Sequence, residues 1–327
     1  MQNGVYNYDI NKKHGRNRPQ KEETKMKKII SLILAAAMLC VSVFALGSCG
    51  DSNNLSKAYD KIVAELEFDD SNCPTLKVAM SPDFAPMEFV DLAKKGDDQY
   101  VGFDVILAKY LAKELNMKLV IVPMSFDACT AALDTGKADL AISGFSWTAE
   151  RAEYYAISDY YVAGENESDQ ILIAKKGVTI NSDTDFSDMV IGAQGASLQK
   201  ILVEEQLVTK GAELKLYESL NDALVALETG KIDALAVAKG NGEAFAASSD
   251  AVALTDFYFE VDELYKNNVI LLNKADTELL EAVNAALAKA LAAGYYDTWY
   301  EACQIYAEVK TADQLGYDEN GNKITEE

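Results

Sequence analysis

The sequence predicts an α/β protein of two lobes with a ligand cleft between them, and three observations predict it. The phrase ALDTGKAD at Ala132–Asp139 returns as ALETGKID at Ala226–Asp233, 94 residues later. Each copy runs into a short apolar stretch, Leu140–Ile142 and Ala234–Val237, of the length expected for a strand buried in a parallel sheet. Counted from Cys49, the chain still offers 279 residues, enough for two ordinary domains. A spacing of 94 residues is too long for an array of small repeats, so the phrase is read as one unit in each of two lobes. Open α/β sheets bind ligands beyond the carboxyl ends of their strands, which places the function in the crevice between the lobes.

From the N-terminus, residues 1–25 are polar and contain the only histidine, His14. Met26-Lys27-Lys28 and the apolar run Ile29–Leu46 then have the basic start and hydrophobic stretch of a secretory signal. Leu46-Gly47-Ser48-Cys49 reads as a lipobox, in which Cys49 is acylated and becomes the mature N-terminus. The expected location is therefore outside the cytoplasm, anchored to the outer face of the cell membrane. An uncleaved membrane anchor is the alternative, disfavoured by the small residues and cysteine where cleavage would fall. Residues 1–48 are read as leader and signal peptide. Residues 49–72, polar and acidic around a helical run Ala58–Leu66, are read as a lipid-attached tether.

The segment before Cys49 holds 8 of the 30 Lys/Arg and 3 of the 52 Asp/Glu, so the mature chain sets 22 basic against 49 acidic residues, a net charge of −27. Such a surface repels nucleic acid and anionic headgroups, leaving membrane attachment to the lipid. The mature chain has no histidine, which removes the commonest general base, metal ligand and triad member. No metal, cofactor or catalytic residue is assigned. Cys73, Cys129 and Cys303 match no metal spacing. Cys129 reads as a small buried hydrophobe, and a Cys73–Cys303 bridge has no support in sequence.

The expected elements follow. Strand Leu76–Met80 leads into the loop Ser81–Pro86, where Phe84 is placed to wall a pocket. Ser125 and Ser219 stand where they can cap the two repeat helices, and Gly136 and Gly230 where a left-handed residue ends them. Phe126 begins the first repeat helix. Directly after the first repeat's strand comes ISGFSWTAER, Ile142–Arg151: Ser143, Gly144 and Ser146 supply donors, Thr148 can cap a short helix, and Arg151 carries a planar fork suited to a carboxylate. The alternative for Arg151 is a surface pair with Glu150 or Glu153. Ile191–Ser197 is a strand, a glycine turn and the start of the helix Leu198–Glu205, either an anion-binding helix start or a plain turn.

In order, LKVAMSPDFAPMEF, VGFDVILAKYLAKELNMKLVIV, DTGKADLAISGFSWTAERAEYYAISDYY, VIGAQGASLQ, ETGKIDALAV and ADTELLEAVNAALAKALAAGYYDTWYEAC resemble the extracellular solute-binding proteins of family 3, the type II periplasmic binding proteins of polar amino acid ABC transporters. The resemblance covers about residues 76–300. It implies a type II fold: two α/β lobes joined by two crossover strands near Ser168–Ile173 and Asp262–Val269. Lobe I would comprise 73–168 with 267–327, and lobe II 169–266. It further implies a monomer that closes on an amino acid or a similar small carboxylate and delivers it to a membrane permease, without catalysis. By position, Arg151 resembles the family's carboxylate grip, assisted by Ser143, Ser146 and Ser197. Phe84 and Phe126 resemble the residues that pack on the ligand side chain, and Gly144 stands where backbone faces the ligand. One position departs: where amino-acid-binding members carry an Asp for the ligand's ammonium, this chain has Ala238, and Asp83 and Glu243 are the acids that could replace it. Two other readings remain, a dehydratase-like enzyme on the same fold and a sensory ligand-binding receptor.

Overall fold

The computed structural model describes residues 52–161 and 168–314; the leader, the signal segment and Cys49 lie outside them. Among the described residues no helix is long and apolar enough to cross a membrane. The elements are α1 (Ser52–Leu66), β1 (Thr75–Met80), β2 (Asp83–Phe84), β3 (Glu88–Val90), β4 (Tyr100–Val101), α2 (Phe103–Glu114), β5 (Lys118–Pro123), α3 (Phe126–Asp134), β6 (Leu140–Ala141), α4 (Ala149–Tyr154) and β7 (Tyr155–Ile157), then β8 (Gln170–Lys175), β9 (Val190–Gln194), α5 (Leu198–Gln206), β10 (Glu213–Tyr217), α6 (Leu220–Glu228), β11 (Ala234–Ala238), α7 (Lys239–Ser248), β12 (Val252–Tyr258), β13 (Leu271–Asn273), α8 (Thr277–Ala292) and α9 (Tyr295–Gln314).

Two five-stranded sheets have the same plan, β5-β1-β6-β13-β7 in lobe I and β10-β9-β11-β8-β12 in lobe II. In each, three parallel strands meet a returning antiparallel strand beside the repeat strand: β6 pairs with β1 and β13, and β11 with β9 and β8. The sheets are therefore mixed, not purely parallel. Both faces are covered, which is why the strands read as continuous apolar runs. In lobe II, Leu172, Ala174, Ala234 and Ala236 pack on the face with α5, while Ile171, Ile173, Leu235 and Val237 pack on the face with α6 and α7. In lobe I, Val78, Leu140 and Ile142 face α2, α8 and α9, while Ala79, Ala141 and Leu271 face α3.

The repeated phrase does the same work twice. Gly136 and Gly230 adopt left-handed φ values of +67° and +73° after α3 and α6. The aspartate closing each copy ties the start of the neighbouring strand: Asp139 accepts from Lys77 N–H and Asp233 from Val190 N–H, both at 2.8 Å. The caps differ. Ser219 accepts from Asn221 N–H, whereas Ser125, although at the cap position, donates to Asp127 and makes no cap bond.

Two expectations change. The tether reading does not hold for α1, whose Tyr59, Ile62, Val63 and Leu66 form a helical stripe packed on the lobe I core. Tyr59 is fully buried, 4.3 Å ring to ring from Tyr306 of α9, and its hydroxyl accepts from Gly102 N–H. Scattered acids masked this stripe in the sequence. Ile171–Ile173, expected in the first crossover, instead lie inside β8, a strand paired on both sides in lobe II. Tyr161 bridges Asn268 of the returning segment. Cys73, Cys129 and Cys303 are free thiols, and Cys129 is buried as expected.

Candidate functional site

All seven residues expected at the site, Phe84, Phe126, Ser143, Gly144, Ser146, Arg151 and Ser197, line one cleft between the lobes. Arg151 reaches it from α4, whose start is capped by Thr148 accepting from Arg151 N–H. The side chain is buried, with its guanidinium carbon 4.9 Å from the centre of the Phe145 ring and 5.7 Å from that of Phe126; those two rings are themselves stacked at 4.6 Å. Nη1 donates to Ser146 O at 2.5 Å, and Nη2 donates across the cleft to Ala196 O at 2.9 Å. No carboxylate among the described residues pairs with it, so the surface pair with Glu150 or Glu153 is not formed. Burial lowers its pKa to about 10, which leaves the fork charged at neutral pH.

Beneath the loop Ser143–Ser146 lies an acid pair that sequence reading missed. Ser143 Oγ donates to Glu88 at 2.5 Å and accepts from Ser81 N–H, so its hydroxyl is spent inside the protein. Asp104 accepts from Gly144 N–H at 2.7 Å and from Tyr161 Oη at 3.1 Å. Glu88 and Asp104 are both fully buried, close enough for each charge to act on the other. Desolvation pushes both carboxyls up, Asp104 to about 7, and the mutual repulsion of two charges raises Glu88 well above the carboxylate range. Gly144 is required above them: its φ is +58°, and a Cβ there would meet Phe84 Cε1 at 2.6 Å.

The lobe II wall comes from strand ends and helix starts. Ser197 caps α5, accepting from Lys200 N–H and donating to Gln194 O, so its hydroxyl too is committed. Asp83, on lobe I, reaches over to accept from Leu220 N–H at the start of α6 (2.8 Å) and from Gln194 Nε2 (3.3 Å), while Ser81 Oγ holds its other oxygen. Ala238 does line the cleft, at the end of β11. Glu243 does not: on α7 it lies near Glu308 of α9, whose carboxyl it helps push up after burial. Carboxamides supply the lining that the sequence did not mark, Gln170, Gln194, Gln199, Asn241 and Asn268. They are scattered over strands β8 and β9, the starts of helices α5 and α7 and the returning segment at Asn268, where a single Asn or Gln carries no periodic signal.

Comparison with known proteins agrees with this architecture. The model of the bacterial extracellular solute-binding proteins, family 3, matches residues 76–302. The chain is 28% identical over 262 residues to the arginine-binding extracellular protein ArtP of Bacillus subtilis, covering 80% of this chain and 92% of that one. It is similar to the crystal structure of an amino acid ABC transporter substrate-binding protein of Streptococcus pneumoniae bound to L-arginine, at 29% identity and a TM-score of 0.63, covering 76% of this chain and 98% of that one. It is also similar to an ancestral arginine-binding protein bound to glutamine, at 31% identity and a TM-score of 0.61, covering 69% and 96%. These relatives are solute-binding proteins, not enzymes. With the matching repeat topology and the interlobe cleft, the chain belongs to the bacterial extracellular solute-binding proteins, family 3.

Proposed function

We propose that this protein captures an α-amino acid between its lobes and presents the closed form to the permease of an ABC importer, held on the outer face of the membrane by a lipid on Cys49, and that it performs no catalysis. The observation that carries the reading is the Arg151 guanidinium: buried, stacked on Phe145 and unpaired by any carboxylate of the described residues, at the wall of the cleft. A buried charge without a counter-charge is costly, and a ligand carboxylate supplies one in the geometry a planar fork prefers. Closure has its own contacts, since Arg151 to Ala196, Asp83 to Leu220 and Asn241 to Ala85 all join one lobe to the other. A histidine-free mature chain fits binding without turnover.

The test is a thermal-shift screen of amino acids, followed by calorimetry on Arg151→Met, which keeps an apolar stem against Phe145 while removing the fork. Affinity should fall at least about 100-fold, or about 2.7 kcal/mol, with the fold retained. Affinity held within about threefold would remove Arg151 from the site, and recovery of a chemically altered ligand after incubation would restore the enzyme reading.

A further inference from the structure

The cleft contains a buried acceptor that nothing among the described residues satisfies. Asn241, in the first turn of α7, is fully buried and lines the cleft three residues after Ala238. Its Nδ2 donates to Ala85 O of the opposite lobe at 3.2 Å, which fixes the orientation of the amide, because only the nitrogen end can donate to a carbonyl. Oδ1 is left without a hydrogen-bond partner. Leaving such a group unmet is unfavourable, a penalty that a ligand N–H would remove.

The acid on the lining is already committed. Asp83 accepts from Leu220 N–H, Gln194 Nε2 and the hydroxyls of Ser81 and Ser219, which fills the roughly four acceptor positions of a carboxylate. We infer that Asn241 Oδ1 accepts the ligand's α-amino group in place of the carboxylate absent at Ala238, and that the cleft in consequence selects an amino acid with an uncharged side chain. With Arg151 holding the carboxylate, a second cation on the ligand would be buried among the carboxamides of Gln170, Gln194 and Asn268, with no free carboxylate among the described lining residues to meet it. The inference rests on the amino-acid reading above.

The full chain is titrated by calorimetry with the twenty standard L-amino acids, and the tightest binder and its desamino analogue are then measured on Asn241→Leu and Asn241→Asp. The deciding quantity is the ratio of the two affinities, because both ligands close the lobes and any loss of the bond to Ala85 cancels between them. We expect an uncharged side chain on the tightest binder, a ratio of at least about tenfold in the native chain, collapse to within about threefold in Asn241→Leu, and a rise in Asn241→Asp. If Asn241 only bridges to Ala85, neither variant moves the ratio, and the inference is overturned. It is equally overturned if arginine, lysine or histidine binds tightest, while the amino-acid reading stands. If no amino acid binds, that reading falls and the inference with it. Should Asn241→Leu fail to fold, Asn241→Asp decides alone, an unchanged or lowered ratio counting against.

Discussion

Asp83→Asn tests whether the closed state is held by a specific latch. The carboxylate takes three hydrogen bonds from lobe II, one from the backbone at the start of α6 at 2.8 Å, one from Gln194 at 3.3 Å and one from the Ser219 hydroxyl. Hydrogen bonds to a charged group contribute about 1.5–3 kcal/mol each, and a carboxylate at a helix start adds a few tenths to 1 kcal/mol. Against this, Asn keeps one neutral acceptor, and desolvation already raises the Asp83 pKa, a sign that burying the charge takes back part of the gain. The balance is a loss of about 2 kcal/mol from the closed form, roughly 30-fold in affinity if the ligand-free lobes rest open, because ligand binding must then drive closure. Calorimetry gives the affinity, and solution scattering with and without ligand gives the compaction. An affinity within about threefold of the native chain, with unchanged compaction, would refute the latch.

The acid pair beneath the ligand loop predicts an unusual pH dependence. Because Glu88 and Asp104 titrate above the usual carboxylate range, the folded chain keeps protons there that the unfolded chain has released above about pH 4; the pair's contribution to stability is therefore fully present below that pH and is lost as pH rises, for Asp104 through about 7. Glu88→Gln removes one of the two titrating groups and its repulsion of Asp104 while keeping an acceptor for Ser143, so its melting temperature should decline less from pH 5 to pH 8 and exceed that of the native chain at pH 8; equal slopes would sink this account. Cys49→Ala should abolish lipid attachment, read as loss of the protein from the membrane fraction and of the acyl mass, and a variant that stays in the membrane with unchanged mass would refute the lipobox.

What the sequence determined by itself is whatever a few adjacent residues can encode. The repeated phrase announced two equivalent units because a helix, its left-handed glycine and a buried strand are local structures, and the strand–loop–helix around Arg151 placed donors and a fork within ten residues. Its seven site residues all reach the cleft because each sits at a strand end or helix start, where the α/β plan directs them. Tertiary structure decided the rest, since the partners are far apart in the chain: Ser143 and Glu88 by 55 residues, Asp83 and Leu220 by 137, Asn241 and Ala85 by 156. No periodicity distinguishes a solvated acid from one that latches two lobes, and α1 became part of the core only because lobe I offers its stripe an apolar surface to cover. Asn241 and Glu243 lie two positions apart on one helix, yet one lines the cleft and the other lies near α9. That division is set by where the second lobe docks, which no stretch of sequence contains.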